Sequence, residues 1–509
     1  MKKTIFSLTI LLVLALTIHI AGAQQKMVKG SSTLIFADGT EVMTLDPQFA
    51  THTPTARIVM HIHETLVKYD VDMNLLPWLA ESWAVSGDGL TWTFQLRKGI
   101  KFHDGTPFNA EAVKYTFDRL LDPAVASPRK DALSMLKETK ILNPYTVAFV
   151  TLKPFAPFLN QLTAYNLAIL SPTAAKKWGR EYGTSPAGTG PFKLESWSPR
   201  ERIVLSRNDS YWEKKPHLDK LIFEVIPDDA TRGNLLLEGK VDIISPVPAA
   251  LVDKMNQSKD IRILRERGFR TIYLGLNSRI KPFHDVRVRK AVAHAIDIKK
   301  ILTQVLKGFG TLGGSLEAPA IPGADKGLKP YPYDPAKAKR LLSAAGYPDG
   351  FETTFYIPTN RYFMDEEVAR AIKAQLKQVG IDVKILTPDW PMLIHLLEKG
   401  TEVPMFIMGK GSPTADLNLT LNHAIKTGGK MNYFQYSNPR VDRLISEQEG
   451  TVDPKERFKI LHEIQSIVHD ELPAITLFYE DQILGKRANV HGIEIYPFEF
   501  INFSRALKN

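Results

Sequence analysis

Residues 77–108 read PWLAESWAVSGDGLTWTFQLRKGIKFHDGTPF and carry the clearest local pattern in the chain. A turn signal, Gly87-Asp88-Gly89, is followed by strict alternation from Leu90 to Arg97. Apolar side chains fall on one face of this segment and polar ones on the other, namely Trp92, Phe94 and Leu96 against Thr91, Thr93, Gln95 and Arg97. Such alternation predicts a half-buried antiparallel strand.

A helix is predicted directly after this stretch. Asn109 is a favourable N-cap and Glu111 suits the positive first turn, while the inward positions recur at helical spacing, namely Val113, Thr116, Phe117 and Leu120. Further helical stripes cover 288–296 and 368–379, and the second ends at Gly380 before the alternating strand 381–385. Because helices alternate with strands, including an opening strand over 34–37, we expect an α/β fold.

The composition is that of a folded, multidomain protein without thiol chemistry. The chain has 509 residues, 44% hydrophobic and 24% charged, and contains no Cys. Single cores stop growing near ~250–300 residues, so this length predicts roughly two to four domains. The missing Cys excludes disulfides, thiolate nucleophiles, Cys-ligated zinc and a lipid-modified N-terminal Cys. The net charge of +10 comes from scattered basic residues, which argues against nucleic-acid binding.

The N-terminus has the pattern of a secretory signal peptide. Lys2 and Lys3 precede an almost wholly apolar run over 5–20, and Ala21-Gly22-Ala23 supplies the small residues of a cleavage site. A membrane anchor is the alternative, but this run spans only about 24 Å as a helix, less than the ~30 Å hydrocarbon core. We therefore expect cleavage after Ala23, no lipid anchor, and a periplasmic location.

Catalytic motifs are sparse. Residues 308–313 fit the expression GxGxxG, but they follow a helical stretch and precede Pro319, whereas a dinucleotide site needs a strand before and a helix after. Phosphate-binding loops, nucleophile elbows and HExxH zinc pairs do not occur in the sequence. We interpret the adjacent His469, Asp470 and Glu471 as a solvated helix end, because the side chains of neighbouring residues diverge. The sequence therefore predicts no enzyme and no cofactor.

Several histidines raise the question of a metal site. His61, His63 and Glu64 are close in sequence, but side chains two residues apart on a helix point about 200° apart. Ordinary packed histidines are therefore the favoured interpretation. His423, in a polar stretch, is a weaker candidate for a soft-metal ligand. We predict no resident metal ion.

The opening stretch closely resembles the signature of family 5 extracellular solute-binding proteins, which are the dipeptide, oligopeptide, glutathione and nickel receptors of ABC importers. The resemblance continues in order through 188–192, 208–212, 273–277, 285–292 and 436–439. It implies an α/β, two-lobed periplasmic-binding-protein-like fold. A small extra domain is expected as an insertion in the first lobe, and two crossing strands are expected as the hinge.

The resemblance also implies a division of the chain. We expect a signal peptide over 1–23, the first part of lobe I over 24–65, the small inserted domain over 66–180, the second part of lobe I over 181–270, lobe II over 271–484, and a return to lobe I over 485–509.

Candidate ligand-binding residues follow from the same resemblance. Asp416 matches the Asp that holds a ligand ammonium, although a helix cap is an equally good interpretation. Arg361 matches the position that holds the ligand carboxylate in dipeptide-binding members, with an exposed surface Arg as the alternative. Thr414 and Lys410 lie in the same loop as Asp416; Lys410 stands where an aromatic residue is common, and its charge would favour an acidic ligand. Trp390 is either an apolar wall of the cleft or a packing residue.

The sequence thus predicts a monomeric periplasmic receptor that captures a short peptide or peptide-like solute in an interlobe cleft and delivers it to the inner-membrane permease of an ABC importer. A receptor of the same fold for nickel, an opine or an oligosaccharide stays open, because a fold does not choose its ligand. A secreted hydrolase has no catalytic residue set to support it. A peripheral membrane or chaperone-like role is suggested only by the net positive charge.

Overall fold

The computed structural model describes residues 33–51, 53–358 and 361–509. The predicted signal peptide and its cleavage site lie outside these residues. In the described part of the chain, helices and strands alternate as predicted, and no helix there has both the length and the apolar character needed to cross a bilayer.

The strands, in chain order, are β1 Thr33–Asp38, β2 Val67–Tyr69, β3 Leu75–Pro77, β4 Ala80–Val85, β5 Thr91–Leu96, β6 Leu136–Asn143, β7 Thr146–Thr151, β8 Phe192–Ser198, β9 Arg202–Arg207, β10 Lys220–Val225, β11 Ile243–Ser245, β12 Ile261–Leu276, β13 Phe351–Tyr356, β14 Ile381–Leu386, β15 Met405–Lys410, β16 Ala474–Arg487, β17 Val490–His491, β18 Glu494–Ile495, β19 Ile501–Asn502 and β20 Leu507–Lys508.

The α-helices are Thr53–Ile62, Ala110–Leu121, Phe158–Gln161, Pro172–Trp178, Asp229–Leu237, Val252–Gln257, Val286–Ala295, Ile298–Lys300, Pro335–Ala344, Asp365–Lys377, Trp390–Lys399, Asn418–Thr420, Pro439–Gly450 and Pro454–Glu471. Short 3-10 helices cover Lys130–Leu133, Tyr165–Leu167, Gly179–Thr184 and Ala249–Leu251, and π-helical turns cover Ile301–Val305 and Leu421–Ile425.

Two long strands join the lobes. A ten-stranded sheet has the order β14-β13-β15-β12-β16-β11-β1-β10-β9-β8. Its central pair, β12 and β16, is antiparallel from Ile261 opposite Arg487 to Gly275 opposite Ala474. β15 pairs with the C-terminal half of β12, whereas β11 pairs with the C-terminal end of β16. Each long strand therefore contributes to both lobes, which confirms the predicted crossing-strand hinge.

The opening stretch builds a small separate unit. β5 is an inner strand of the antiparallel sheet β4-β5-β7-β6, and the helix Ala110–Leu121 begins where the Asn109 side chain accepts a hydrogen bond from the Ala112 N–H. The Phe149 ring lies 5.5 Å from the Phe94 ring and 4.6 Å from the Phe117 ring. The predicted strand and helix are both confirmed. Because this unit is inserted between β1 and β8 of the large sheet, it matches the expected extra domain.

Helices cover both faces of the second lobe's part of the sheet. β13 runs parallel to β14 and β15, and the helix Asp365–Lys377 connects β13 to β14. Gly380 has a φ of +93°, and a Cβ there would lie 3.0 Å from the Asp349 carbonyl oxygen, so the chain turns most easily at glycine. The predicted stripes form the helices Val286–Ala295 and Asp365–Lys377, which pack on one face.

The GxGxxG stretch is a loop. It follows the turn Ile301–Val305, and the next helix begins only at Pro335. A Cβ on Gly313 would lie 2.5 Å from the Tyr479 ring, so close packing explains this glycine. The strand and helix that a dinucleotide site requires do not flank this loop.

Candidate functional site

The predicted site residues lie where the parallel strands of the second lobe end. The loops after β13, β14 and β15 begin at residues 357, 387 and 411, and the first and third carry Arg361, Thr414 and Asp416. Trp390 is the first residue of the helix that follows the second loop. Lys410 is the last residue of β15. Carboxyl ends of parallel strands meet at one edge of a sheet, which is where α/β proteins place their ligand sites. We call the region between these loops and the facing first-lobe residues the interlobe cleft.

Arg361 and Trp390 contact each other in this cleft. The Arg361 guanidinium carbon lies 4.6 Å from the centre of the Trp390 ring, a distance typical of a cation-π contact. The backbone N–H of Arg361 donates to the Asp365 carboxylate at 2.9 Å, which holds this residue beside the first turn of the helix Asp365–Lys377. Arg361 is exposed, and within the described residues its guanidinium forms no ion pair.

Asp416 is almost completely buried and is bound by an arginine that the sequence analysis missed. Arg457 donates from Nη1 to Oδ2 and from Nη2 to Oδ1 of Asp416, both at 2.7 Å. The Asn418 N–H donates to Oδ1 at 2.8 Å. The Asp416 and Arg457 side chains are 5% and 7% exposed. Asp416 therefore orders its own loop through Asn418 and carries a charge that Arg457 balances.

Lys410 also has an internal partner. Its ammonium lies 2.8 Å from Glu317 Oε2 and 2.7 Å from the Thr420 hydroxyl. Burial raises the pKa of Glu317, and the Lys410 charge opposes that rise. Because Glu317 balances Lys410, the positive charge that the sequence suggested beside the pocket is largely neutralised by this pair.

Thr414 connects the two lobes. Its carbonyl oxygen accepts a hydrogen bond from the Tyr69 hydroxyl at 3.1 Å, and that hydroxyl accepts one from Asn160 Nδ2 at 2.6 Å. A second connection joins the small unit to the second lobe, where Glu449 pairs with Lys153 at 2.9 Å. The lobes therefore touch across the cleft, as they do in a closed binding protein.

A charged network on the hinge strands, next to the loop after β13, was not identified by the sequence analysis. On the hinge strands, Arg270 lies 3.2 Å from Glu480 and 2.6 Å from Glu499, which belongs to the chain's return to the first lobe. The Phe363 N–H donates to Glu480 Oε1 at 3.2 Å. The Glu499 charge raises the pKa of Arg270, while burial raises that of Glu480. The sequence did contain a signal for this network, because Glu480 is an acidic residue directly after the mostly apolar residues 474–479.

The first histidine group forms structural contacts. His61 Nδ1 lies 2.7 Å from the Arg57 carbonyl oxygen, and its Nε2 accepts the Phe503 N–H. His63 Nε2 lies 2.9 Å from the Tyr182 hydroxyl. Burial lowers the pKa of His61 to about 4 and that of His63 to about 3. Across the described residues, no group of three or more His, Asp or Glu side chains is placed to hold a metal ion.

The remaining histidine candidates, His423 and His469, have different neighbours. His469 Nε2 lies 2.9 Å from the Lys329 carbonyl oxygen, and its neighbour Asp470 pairs with Lys290 at 2.7 Å. His423 is half-buried, and burial lowers its pKa. The pairing of Asp470 with a lysine fits the predicted solvated helix end.

Two cavities lie away from the predicted residues. One, of about 40 Å³, is inside the second lobe between Glu317 and His469, and the other, of about 710 Å³, opens on the first lobe beside Trp178 and Trp197. None of the five predicted site residues lines either cavity.

Comparisons with known proteins agree with this architecture. Residues 74–432 match the model of bacterial extracellular solute-binding proteins, family 5 middle. The glutathione-binding protein GsiB of Shigella flexneri is 32% identical over 482 residues, which cover 93% of this chain and 94% of that protein.

Solved structures are also similar. The periplasmic binding protein DppA from Helicobacter pylori, in complex with the peptide STSA, has a TM-score of 0.78 and 28% identity, covering 94% of this chain and 98% of that one. A dipeptide-binding protein from Pseudoalteromonas, in complex with Met-Leu, has a TM-score of 0.79 and 25% identity, covering 94% of this chain and 100% of that one.

Proposed function

Because this chain belongs to family 5 of the bacterial extracellular solute-binding proteins, we propose that it is the receptor of an ABC importer for a short peptide or peptide-like solute. It captures this solute in the interlobe cleft and releases it chemically unchanged to a membrane permease. The family and the relatives described above are binding proteins rather than enzymes. Relatives that bind glutathione, a tetrapeptide and a dipeptide support a ligand of peptide type.

The observation that carries this proposal is the state of Arg361. The Arg361 guanidinium stacks on Trp390 in a loop at a strand end, and it has no ion pair among the described residues. It can therefore bind an anionic group of a ligand. A peptide carboxylate fits this position because its two oxygens match the planar guanidinium.

Delivery to a permease requires a location outside the cytoplasmic membrane. The family is extracellular, and the N-terminal pattern of basic, apolar and small residues supports export by a signal peptide cleaved after Ala23. We place the mature protein in the periplasm as a monomer that docks on the inner-membrane permease.

Calorimetric titration tests this function with Met-Leu, the tetrapeptide STSA and glutathione. We expect at least one of them to bind, and Arg361→Ala to weaken that binding by about 30-fold, or ~2 kcal/mol, because an ion pair is lost. Arg370→Ala is the matched control, since Arg370 is exposed on the following helix and pairs with Glu366 and Glu367. Native mass spectrometry of the purified protein would show any ligand it carries.

A C-terminal amide of the same peptide provides a second control. It should bind the unaltered protein as weakly as the acid binds the Arg361→Ala variant. If no peptide binds, and none co-purifies, the peptide assignment is wrong. If the acid and the amide bind equally well, Arg361 does not read a carboxylate.

A further inference from the structure

Among the described residues, Asp416 and Glu480 are two acidic side chains near these loops that could receive a ligand's amino group, and they differ in availability. A carboxylate offers about four acceptor positions. Three of those on Asp416 are used, two by Arg457 and one by the Asn418 N–H. The Asp416 side chain is only 5% exposed. An ammonium group that approached Asp416 would compete with a buried, bidentate guanidinium.

Glu480 is more accessible and less completely paired. Its side chain is 20% exposed, and its contacts among the described residues, with the Phe363 N–H and with Arg270 Nε, are both 3.2 Å long. Arg270 lies closer to Glu499, to which it donates from Nε at 3.0 Å and from Nη2 at 2.6 Å. Arg270 therefore neutralises Glu480 less completely than Arg457 neutralises Asp416.

The position of Glu480 also suits a short zwitterion. Glu480 binds the backbone of Phe363, two residues after Arg361. Two residues span at most ~7 Å of backbone, so Glu480 and the backbone of Arg361 lie in the same part of the cleft. The other nearby carboxylate, Asp365, is occupied by the backbone N–H groups of residues 361, 362 and 366.

We propose that Glu480, on the hinge strand β16, receives the ammonium group of a zwitterionic ligand whose carboxylate lies at Arg361. This assignment rests on the proposed function and adds the ligand class, a peptide of about one to three residues with a free amino end. It also places ligand recognition on the hinge itself, so an ammonium bound at Glu480 contacts the strand about which the lobes move.

The test compares Met-Leu with N-acetyl-Met-Leu by calorimetric titration, with glutathione and N-acetylglutathione as a second pair. Acetylation removes the ammonium charge and leaves the carboxylate. For the unaltered protein we expect acetylation to weaken binding at least 30-fold. In Glu480→Gln this penalty should fall to threefold or less, whereas in Asp416→Asn it should stay near its original size.

The acid-to-amide comparison at the other end of the peptide shows whether each variant still has an intact cleft. Glu480→Gln should keep the full carboxylate preference. Glu480→Asp, which retains the charge on a shorter side chain, should show an intermediate acetylation penalty even if Glu480→Gln fails to fold.

An acetylation penalty that disappears in Asp416→Asn and persists in both Glu480 variants would overturn this inference and leave the peptide function intact. If acetylation does not change binding to the unaltered protein, the inference is likewise overturned and the peptide function stands. Failure of all peptides to bind would instead contradict the proposed function.

Discussion

Replacing Glu64 with glutamine should remove a pH dependence of the protein's stability that arises from the burial of this side chain. Glu64 is fully buried and accepts hydrogen bonds from Thr189, Tyr211 and Trp212 at 2.6–2.8 Å. Burial raises its pKa from 4.5 to about 7, against the effect of those donors. Because the pKa is higher in the folded state, this contribution to stability is complete below about pH 4.5 and is lost as the pH rises through 7.

The size of the effect follows from the shift. At 1.36 kcal/mol per pKa unit, the shift from 4.5 to about 7 corresponds to about 3 kcal/mol. A glutamine side chain at this position would be neutral at every pH and would accept from Thr189 and Trp212 through its oxygen. The unfolding free energy of Glu64→Gln, relative to the unaltered protein, should therefore increase by about 3 kcal/mol between pH 4.5 and pH 8.5.

Urea denaturation of both proteins at several pH values measures this difference. Buried His61 and His63 also titrate differently in the folded state, but they are present in both proteins and cancel. Glu81→Gln, at an exposed position, controls for the loss of one carboxylate. A difference that stays constant across the range, or that shrinks as the pH rises, would refute the claim that the fold keeps Glu64 protonated near neutral pH.

Two further predictions concern the cleft. Arg457→Met should lower the free energy of unfolding by ~3–5 kcal/mol, because it leaves the Asp416 charge buried without its partner. Adding Asp416→Asn should restore much of that loss. Urea denaturation measures both effects, and a loss under ~1 kcal/mol in the single variant would contradict this prediction. Tyr69→Phe should weaken lobe closure by about 1 kcal/mol because the bond to the Thr414 carbonyl is lost. Small-angle scattering should then show a larger radius of gyration than for the control Tyr333→Phe, and equal radii would contradict a role in closure.

Local periodicity predicted individual elements well. β5 forms because alternation over 91–96 places Trp92 and Phe94 on one buried face, and the helix Ala110–Leu121 begins at the N-cap that Asn109 provides. These features depend on residues within a few positions of one another. The same holds for the turn at Gly380, whose positive φ suits glycine.

Only part of the candidate site could be predicted from the sequence. The resemblance to the family supplied Arg361, Trp390, Lys410, Thr414 and Asp416, and the structure places all five at the same strand ends. Their roles as ligand-binding residues stay predictions. Their partners were not found because periodicity says nothing about which distant side chains will meet.

The amino-acid order alone specified the α/β class, the helices and strands, the family, and the scarcity of catalytic motifs, because each is written in short-range patterns and signature stretches. The tertiary structure decided which charged side chains stay available to a ligand. Asp416 meets Arg457 across 41 positions, Lys410 meets Glu317 across 93, and Tyr69 meets Thr414 across 345. Electrostatic balance depends on distance in space, so only the folded chain distinguishes a neutralised carboxylate such as Asp416 from a more accessible one such as Glu480.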